Sequence, residues 1–282
     1  MMEILRTAAD VRAFREASAG ARLAFVPTMG ALHEGHLALV AHARSRAERV
    51  VASVFVNPTQ FAPNEDFSRY PRRPEEDAAA LASVGCDGLF LPSIEEIYPA
   101  GHATFVEPAG AALGLEGELR PRHFRGVATV VTQLFGIVRP QVAVFGQKDA
   151  QQLAVIRQVV RDLHLPVEIV GYPTVREADG LAMSSRNTYL SGAERVAARV
   201  LFRALHAAEA AIGGGERDAN ALRSLMLGVL TREPLAQPQY AEVVDARTFR
   251  PLERVEGAVV LPIAARLGAT RLLDNLSLVV DA

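Results

Sequence analysis

At 282 residues, half of them hydrophobic, the chain is long enough for one large or two modest domains with their own cores. A charged fraction of 22% and a net charge of −2 describe a globular chain and exclude a nucleic-acid binder that works through bulk positive charge. The lone cysteine, Cys86, excludes an internal disulfide framework and a cysteine-rich metal site, and reads as a small packed residue. No apolar run reaches the roughly eighteen residues of a membrane span, and no basic-then-apolar signal opens the chain, so no membrane partner and a cytoplasmic location are expected.

Residues 1–19 read as a starting helix with Ile4, Leu5, Val11 and Phe14 on its apolar face. Leu23–Val26 suits a buried parallel strand that Pro27 should end. Thr28-Met29-Gly30 then turns the chain into a helical pattern of Leu32, Leu37, Leu39 and Val40, with His33 and His36 where that helix begins. Arg49–Val56 is a second buried strand, closed by Asn57-Pro58. Pro74-Glu75-Glu76-Asp77 opens a helix to about Val84, its acidic residues complementing the dipole. Gly88–Pro92 is a short strand, and residues 93–122 read as loop-rich, running into the basic stretch Arg120, Arg122, His123 and Arg125, a loop that either covers the site or is solvated.

A helix over residues 126–138, a strand over 142–145, a helix over 150–163 and a strand over 167–170 complete an alternating βα rhythm, which implies a parallel sheet. In such sheets ligands bind beyond the carboxyl ends of the strands, and the polar clusters after Val26, Val56 and Phe145 all fall there. After Tyr172-Pro173 the pattern changes to two helices, at about 193–212 and 218–231, and three strands near 240–245, 258–265 and 270–280. The expected fold is therefore a Rossmann-like α/β domain over residues 1–174 and a smaller α+β domain over 175–282.

A helix N-terminus carries unsatisfied N–H groups and partial positive charge, so H-x-G-H after a strand and a glycine turn suits a phosphate. Zinc is not expected, because a metalloprotease pair needs histidines four apart with a glutamate between them, and no further cluster supplies a third ligand. Neither a Walker loop nor a G-x-G-x-x-G fingerprint is present. Among thirty Lys plus Arg, Lys148 is the single lysine. A compact, rotatable ammonium kept in a chain that otherwise uses arginine points to a place where a planar guanidinium does not serve.

Four segments in order, Pro27–His36 (PTMGALHEGH), Phe55–Phe61 (FVNPTQF), Phe145–Leu153 (FGQKDAQQL) and Met183–Asn187 (MSSRN), resemble the pantothenate synthetases, the ATP-dependent pantoate–β-alanine ligases of the H-x-G-H nucleotidyltransferase superfamily. The resemblance spans nearly the whole chain and weakens after about residue 230. It implies that pantoate, β-alanine and ATP are the partners, that a pantoyl adenylate forms, and that AMP and pyrophosphate leave. It also implies a homodimer, and the phosphate-type cluster Ser184–Arg186 lying after the domain boundary suggests a smaller domain acting as a lid.

By the same resemblance, Met29, Gly30, Ala31, Leu32, His33, Glu34, Gly35 and His36 hold the nucleotide, with His33 and His36 stabilising phosphate charge and His36 as proton donor. Gly146, Gln147, Lys148 and Asp149 form a second ATP contact, with Lys148 catalytic; Asp149 either caps a helix or binds a ribose hydroxyl. Val175 is expected to meet adenine through its backbone, and Met183, Ser184, Ser185 and Arg186 to form a phosphate-binding loop in which Arg186 is catalytic. Gln60 and Gln152 are the expected pantoate contacts, with Gln60 also near β-alanine; as neutral amides they bond hydroxyls and a carboxylate without adding charge.

Magnesium is implied by the triphosphate, with Asp77 its candidate protein ligand. Two departures from the family pattern stand out: Glu75-Glu76-Asp77 where an aspartate run is common, and Gln147 where many members carry glutamate. Two other readings stay open on the residues: a nucleotidyltransferase that stops at an adenylylated product, and a nucleotide sensor that binds ATP without turnover.

Overall fold

The computed structural model describes residues 2–63 and 65–281; Met1, Asn64 and Ala282 lie outside the described residues. The chain divides into two compact units, Met1–Gln147 with Val155–Pro173, and Lys148–Ala154 with Thr174–Ala282.

In the first unit, β1 (Glu3–Leu5) leads through α1 (Ala8–Ala17) to β2 (Leu23–Thr28), α2 (Glu34–Arg44) and β3 (Arg49–Val54). Next come α3 (Pro74–Ser83), β4 (Gly88–Phe90), the short α4 (Ile94–Ile97) and α5 (Glu116–Leu119), and then α6 (His123–Val138). The series ends with β5 (Val142–Gly146), α7 (Ala150–Asp162) and β6 (Glu168–Tyr172). The six strands lie in the order β1-β4-β3-β2-β5-β6, every pair parallel. Leu23, Ala24, Phe25 and Val26 of β2 are each at most 1% exposed, as are Val50, Val51 and Ala52 of β3. Consecutive burial of this kind means that both faces of the sheet are covered, so these strands read as apolar runs rather than alternations.

Strand order runs outward from β2 in both directions, so the sheet's switch point lies between β2 and β5. The carboxyl ends of those two strands, at Thr28 and Gly146, are the place where sheets of this kind take their ligands. The turn that follows each strand carries one of the segments singled out in the sequence.

Three local expectations need correction. The starting helix is preceded by β1, whose three residues pair with Gly88–Phe90 of β4; the helix begins only after Thr7, whose side chain accepts from Asp10 N in a capping box. Pro27 does not end its strand. It lies within β2, where β5 pairs only with Ala24 and Phe25, so the missing N–H falls beyond the β5 ladder. The basic stretch is not a free loop: α6 starts at His123, and both Arg120 and His123 are packed inward.

In the second unit, α8 (Gly192–Ala197), α9 (Val200–Gly213) and α10 (Ala219–Thr231) precede β7 (Ala236–Ala241), β8 (Val244–Asp245), β9 (Gly257–Leu267) and β10 (Thr270–Val280). The long strands form an antiparallel sheet in the order β10-β9-β7, with β8 also on β9. Leu201 and Leu205 of α9 and Leu222, Met226 and Leu230 of α10 pack with Val259, Leu261 and Ile263 of β9 in one core. One helix was expected over residues 193–212; two form, the first started by Ser191, whose side chain accepts from Glu194 N.

Candidate active site

The turn after β2 is built from the inside. Thr28 Oγ1 donates to Ser53 O at 2.7 Å and accepts from Gly30 N at 3.2 Å. Gly30 has φ +80°, and a Cβ there would lie 2.8 Å from Val54 Cγ1 and 2.9 Å from Asp77 Oδ2. Both conformation and space therefore demand glycine. Asp77, near the start of α3, completes the turn: its two carboxylate oxygens accept from Ala31 N at 3.0 Å and Leu32 N at 2.8 Å. Burial pushes the Asp77 carboxyl above its ordinary range, and the two backbone donors oppose that rise. The carboxylate is 3% exposed, and among the described residues no three His, Cys, Asp or Glu side chains gather as a metal site. The acidic residue at 77 is thus a clamp on this turn, and the donor set around it does not fit a protein-held cation.

The two histidines form a reciprocal cap on α2. His33 is the N-cap, and its Nδ1 accepts from Gly35 N at 3.2 Å; His36 Nδ1 accepts from His33 N at 3.4 Å. Their rings lie 4.1 Å apart between centroids. With each Nδ1 accepting a backbone N–H, Nε2 is the nitrogen of each ring left to carry a proton, and an Nε2–H is a donor of the kind a phosphate oxygen accepts. Met29, Ala31, Leu32, His33, Gly35 and His36 are partly exposed around this helix start, and Glu34 is exposed. At the end of β5, a Cβ on Gly146 would meet nothing within 4 Å, and its φ is not positive. Neither packing nor backbone conformation requires that glycine, which leaves room for a close ligand.

Beyond β3, Asn57 is the centre of a buried network. Its Nδ2 donates to Gln60 Oε1 at 3.0 Å and to Gly126 O at 3.1 Å, and its Oδ1 accepts from Tyr98 OH at 2.8 Å. Gln60 Nε2 donates to Met29 Sδ at 3.1 Å, which links this network to the turn after β2. The carbonyl of Gln60 is held from below by His123 Nδ1 at 3.0 Å, while Arg120 Nη1 lies 3.1 Å from His123 Nε2. Arg120 in turn grips Glu65 through two nitrogens at 2.6 and 2.8 Å. Burial favours a higher Glu65 pKa, but Arg120 outweighs it and holds the carboxyl below its usual range.

Burial, aided by the charge of Arg120, lowers His123 from 6.5 to about 4. The ring is neutral, with an Nδ1–H donor and an Nε2 acceptor satisfied on both sides. In the unfolded chain it binds a proton near 6.5; folded, it resists until about 4. The unfolded state takes up more protons between these values, so stability is lost as pH falls through the window, by roughly 3 kcal/mol at its acid end. Urea unfolding from pH 7.5 to pH 4.5 should therefore lose less stability in His123→Gln, whose amide keeps a donor and an acceptor without the titration. Parallel pH slopes in the two proteins would remove this account of His123.

Gln147 closes the first stretch of the first unit, and the second unit holds the remaining expected residues. Lys148 lies in a 3-10 turn, Gln147–Asp149, with Nζ 3.5 Å from Asp149 Oδ1, and its carbonyl accepts from Asn275 Nδ2 at 2.7 Å. Gln152 is half-buried in the first turn of α7. Val175 accepts from Met183 N at 3.0 Å, and Arg176 bridges Ala182, so the chain doubles back just before Ser184–Arg186. Ser184 Oγ caps the short 3-10 helix Ser185–Tyr189 by accepting from Arg186 N at 3.2 Å. Asn187 Nδ2 donates to Glu177 Oε1 at 2.9 Å, and Glu177 pairs with Arg195 at 2.5 Å. This segment is an ordered hairpin-like turn.

Asn57, Tyr98, Arg120 and His123 were not expected to support Gln60, nor Asp274 and Asn275 to support Lys148. The only sequence signal for the last two is a polar pair interrupting the apolar strand of β10. Cys86 is buried, its Sγ donating to Gly88 O at 3.3 Å, and desolvation pushes its thiol up to about 11, which makes it a packing residue.

Comparisons with known proteins agree with this architecture. A family model described as pantoate-beta-alanine ligase matches residues 3–277. The chain is 54% identical to a pantothenate synthetase of Herpetosiphon aurantiacus, covering 98% of this chain and 99% of the relative. It is 55% identical to one of Chloroflexus aurantiacus, with 97% of each covered. A crystal structure of pantothenate synthetase from Thermus thermophilus superposes with a TM-score of 0.92 at 49% identity, over 98% of this chain and 99% of that one. A pantoate-beta-alanine ligase from Francisella tularensis, solved with beta-gamma ATP and beta-alanine, superposes with a TM-score of 0.79 at 34% identity, over 98% of this chain and 97% of that one. The match of the family model over nearly the whole chain, and these full-length identities, make the chain a member of the pantoate–β-alanine ligase family.

Proposed function

We propose that the protein joins pantoate to β-alanine at the expense of ATP, through a pantoyl adenylate, releasing AMP and pyrophosphate. Family membership carries the overall ligase reaction. The observation that best supports the adenylate route is the paired-histidine cap at the start of α2, beside the switch point of the sheet. A carboxylate is a poor electrophile. In the first step a pantoate carboxylate oxygen attacks the α-phosphorus, the bond to the bridging oxygen breaks, and pyrophosphate leaves. In the second, the β-alanine amine attacks the acyl carbon, AMP leaves, and the nitrogen loses a proton.

The first step brings two anions together, so its catalysis is positioning and charge neutralisation. His33 and His36 donate to phosphate oxygens from a helix N-terminus that is itself partly positive, and His36 protonates the leaving side. Met29 to Leu32, Glu34, Gly35, Gly146, Gln147, Asp149 and Val175 shape the ATP site. Gln60 and Gln152 orient pantoate, Gln60 being fixed beforehand by Asn57 and His123. Lys148 adds a compact positive charge. The turn that includes Met183, Ser184, Ser185 and Arg186 binds phosphate oxygens, and the second unit carries the role of a lid that keeps water from the labile adenylate. Magnesium, brought by the triphosphate, would neutralise its oxygens; no protein ligand is assigned to it. We further propose a homodimer working in the cytoplasm; among the described residues no helix is long and apolar enough to cross a membrane.

The test is AMP and pyrophosphate formation from ATP with D-pantoate and magnesium, with and without β-alanine. Steady AMP release that needs all substrates, together with pantoate-dependent pyrophosphate exchange into ATP, supports the proposal. A stable adenylylated product, or ATP left intact, overturns it. Within that assay Arg186→Ala is expected to slow exchange by about 10²-fold; an unchanged rate would remove Arg186 and its turn from the phosphate site.

A further inference from the structure

Lys148 is held through its backbone. The amide Nδ2 of Asn275 donates to the Lys148 carbonyl at 2.7 Å, across 127 positions of sequence and within the second unit. Asn275 is only 4% exposed, although β10 is an edge strand of its sheet. Its own backbone groups are taken by side chains: the N–H donates to Asp274 Oδ1 at 2.8 Å and the carbonyl accepts from Arg176 Nη2 at 3.2 Å. Arg176 clamps the buried Asp274 carboxylate at 2.7 and 3.0 Å and also donates to Gly180 O at 3.0 Å. Its guanidinium lies 5.0 Å from the centre of the Phe202 ring. Asn275 therefore has little freedom to swing, and its amide donates to the Lys148 carbonyl.

We propose that Asn275, fixed by the Arg176–Asp274 pair, is a positioning residue for Lys148. The inference rests on the assignment of Lys148 to charge neutralisation in the adenylation step. The ammonium sits at the end of a flexible four-carbon stem, so a small rotation of the residue-148 peptide displaces it by a long lever. The stretch Lys148–Ala154 belongs to the second unit while Gln147 belongs to the first, so this carbonyl lies where the chain passes from one unit to the other. A hydrogen bond at that point sets the direction in which the side chain leaves the backbone. Misplacement of a reacting or neutralising group by about 1 Å costs on the order of 10²-fold in rate.

The test is a double-mutant cycle on pantoate-dependent pyrophosphate exchange, with thermal unfolding of every variant measured in parallel. Asn275→Ala is expected to lower kcat by about 10²-fold in the native background, with the KM for ATP changing far less. In the Lys148→Ala background the same substitution should change the residual rate less than about 2-fold, because the group it positions is gone. An equal loss in both backgrounds would mean that Asn275 supports the fold alone, and no loss in either would mean that it positions nothing; each outcome overturns the proposal. If Asn275→Ala does not fold, Asn275→Asp, which keeps the volume and replaces the donor, is carried through the same cycle with the same criteria. Failure of the underlying reading has its own signature: Lys148→Ala alone would then exchange at the native rate.

Discussion

Replacing Lys148 with alanine is expected to slow adenylate formation by about 10³-fold while leaving urea unfolding nearly unchanged. The stability half of this expectation follows from the structure. The hydrogen bond that ties residue 148 to its surroundings is made by its carbonyl, which accepts from Asn275 and which alanine keeps. The ammonium's attraction to the buried Asp274 carboxylate is secondary to the Arg176 clamp on that group. The side chain itself makes a 3.5 Å pair with its neighbour Asp149, a partly exposed contact that contributes little to folding. The catalytic half follows from the chemistry, since two anions meet and one fixed positive charge is removed. Lys148→Arg restores the charge but in a larger, planar group with a different donor geometry, and it is expected to recover only part of the rate. Pyrophosphate exchange at saturating pantoate measures both. If arginine restored the native rate, the solitary lysine would carry no special meaning; if alanine did, the adenylation role of residue 148 would be gone.

Gly30→Ala is expected to damage the turn after β2 in both stability and ATP affinity. The residue has φ +80°, where an L side chain costs about 1–2 kcal/mol, and the added carbon would press on Val54 Cγ1 and Asp77 Oδ2 below 3 Å. Overpacking of this kind typically adds about 1–3 kcal/mol. Asp77 Oδ2 is also the acceptor for Ala31 N, so relieving the clash by moving the carboxylate loosens the clamp on the turn. A loss of roughly 3 kcal/mol in urea unfolding and a marked rise in the KM for ATP are expected together. A stability loss without any change in ATP affinity would separate the turn from nucleotide binding. Native behaviour in both would show that the backbone at residue 30 has more room than its neighbours allow.

The parts of this molecule that were legible in the sequence are those in which local punctuation and burial agree. Leu23–Val26, the glycine turn and the histidine cap could be read because strand, turn and helix start each have local signals within a few residues. The β1 strand could not, because Glu3–Leu5 is a strand only by pairing with β4 more than eighty positions away. Pro27 misled for a related reason: the rule that proline ends a strand depends on which neighbour needs its N–H, and here β5 does not reach it. Asp77 invited a metal reading from the family resemblance and the triphosphate, yet its carboxylate clamps a loop 45 and 46 residues away. His123 lay inside a run of arginines that suggested a solvated stretch, and only its packing against the Gln60 carbonyl gives it a neutral, buried role. In each case the missing information was a long-range partner, which no periodicity encodes.

The link between Asn275 and residue 148 ends on a main-chain oxygen, and that choice has an evolutionary side. A side chain on that acceptor would have to be preserved together with Asn275, and exchange of segments between relatives would often separate the two. A carbonyl is offered by every amino acid. Position 148 can therefore change, and residues 174–282 can be traded between homologous chains, with the bond surviving wherever the asparagine amide is retained. The same feature warns against cutting the chain at residue 173: a fragment that begins there lacks Lys148–Ala154, and leaves the most buried amide of its edge strand facing an acceptor left behind on the other piece.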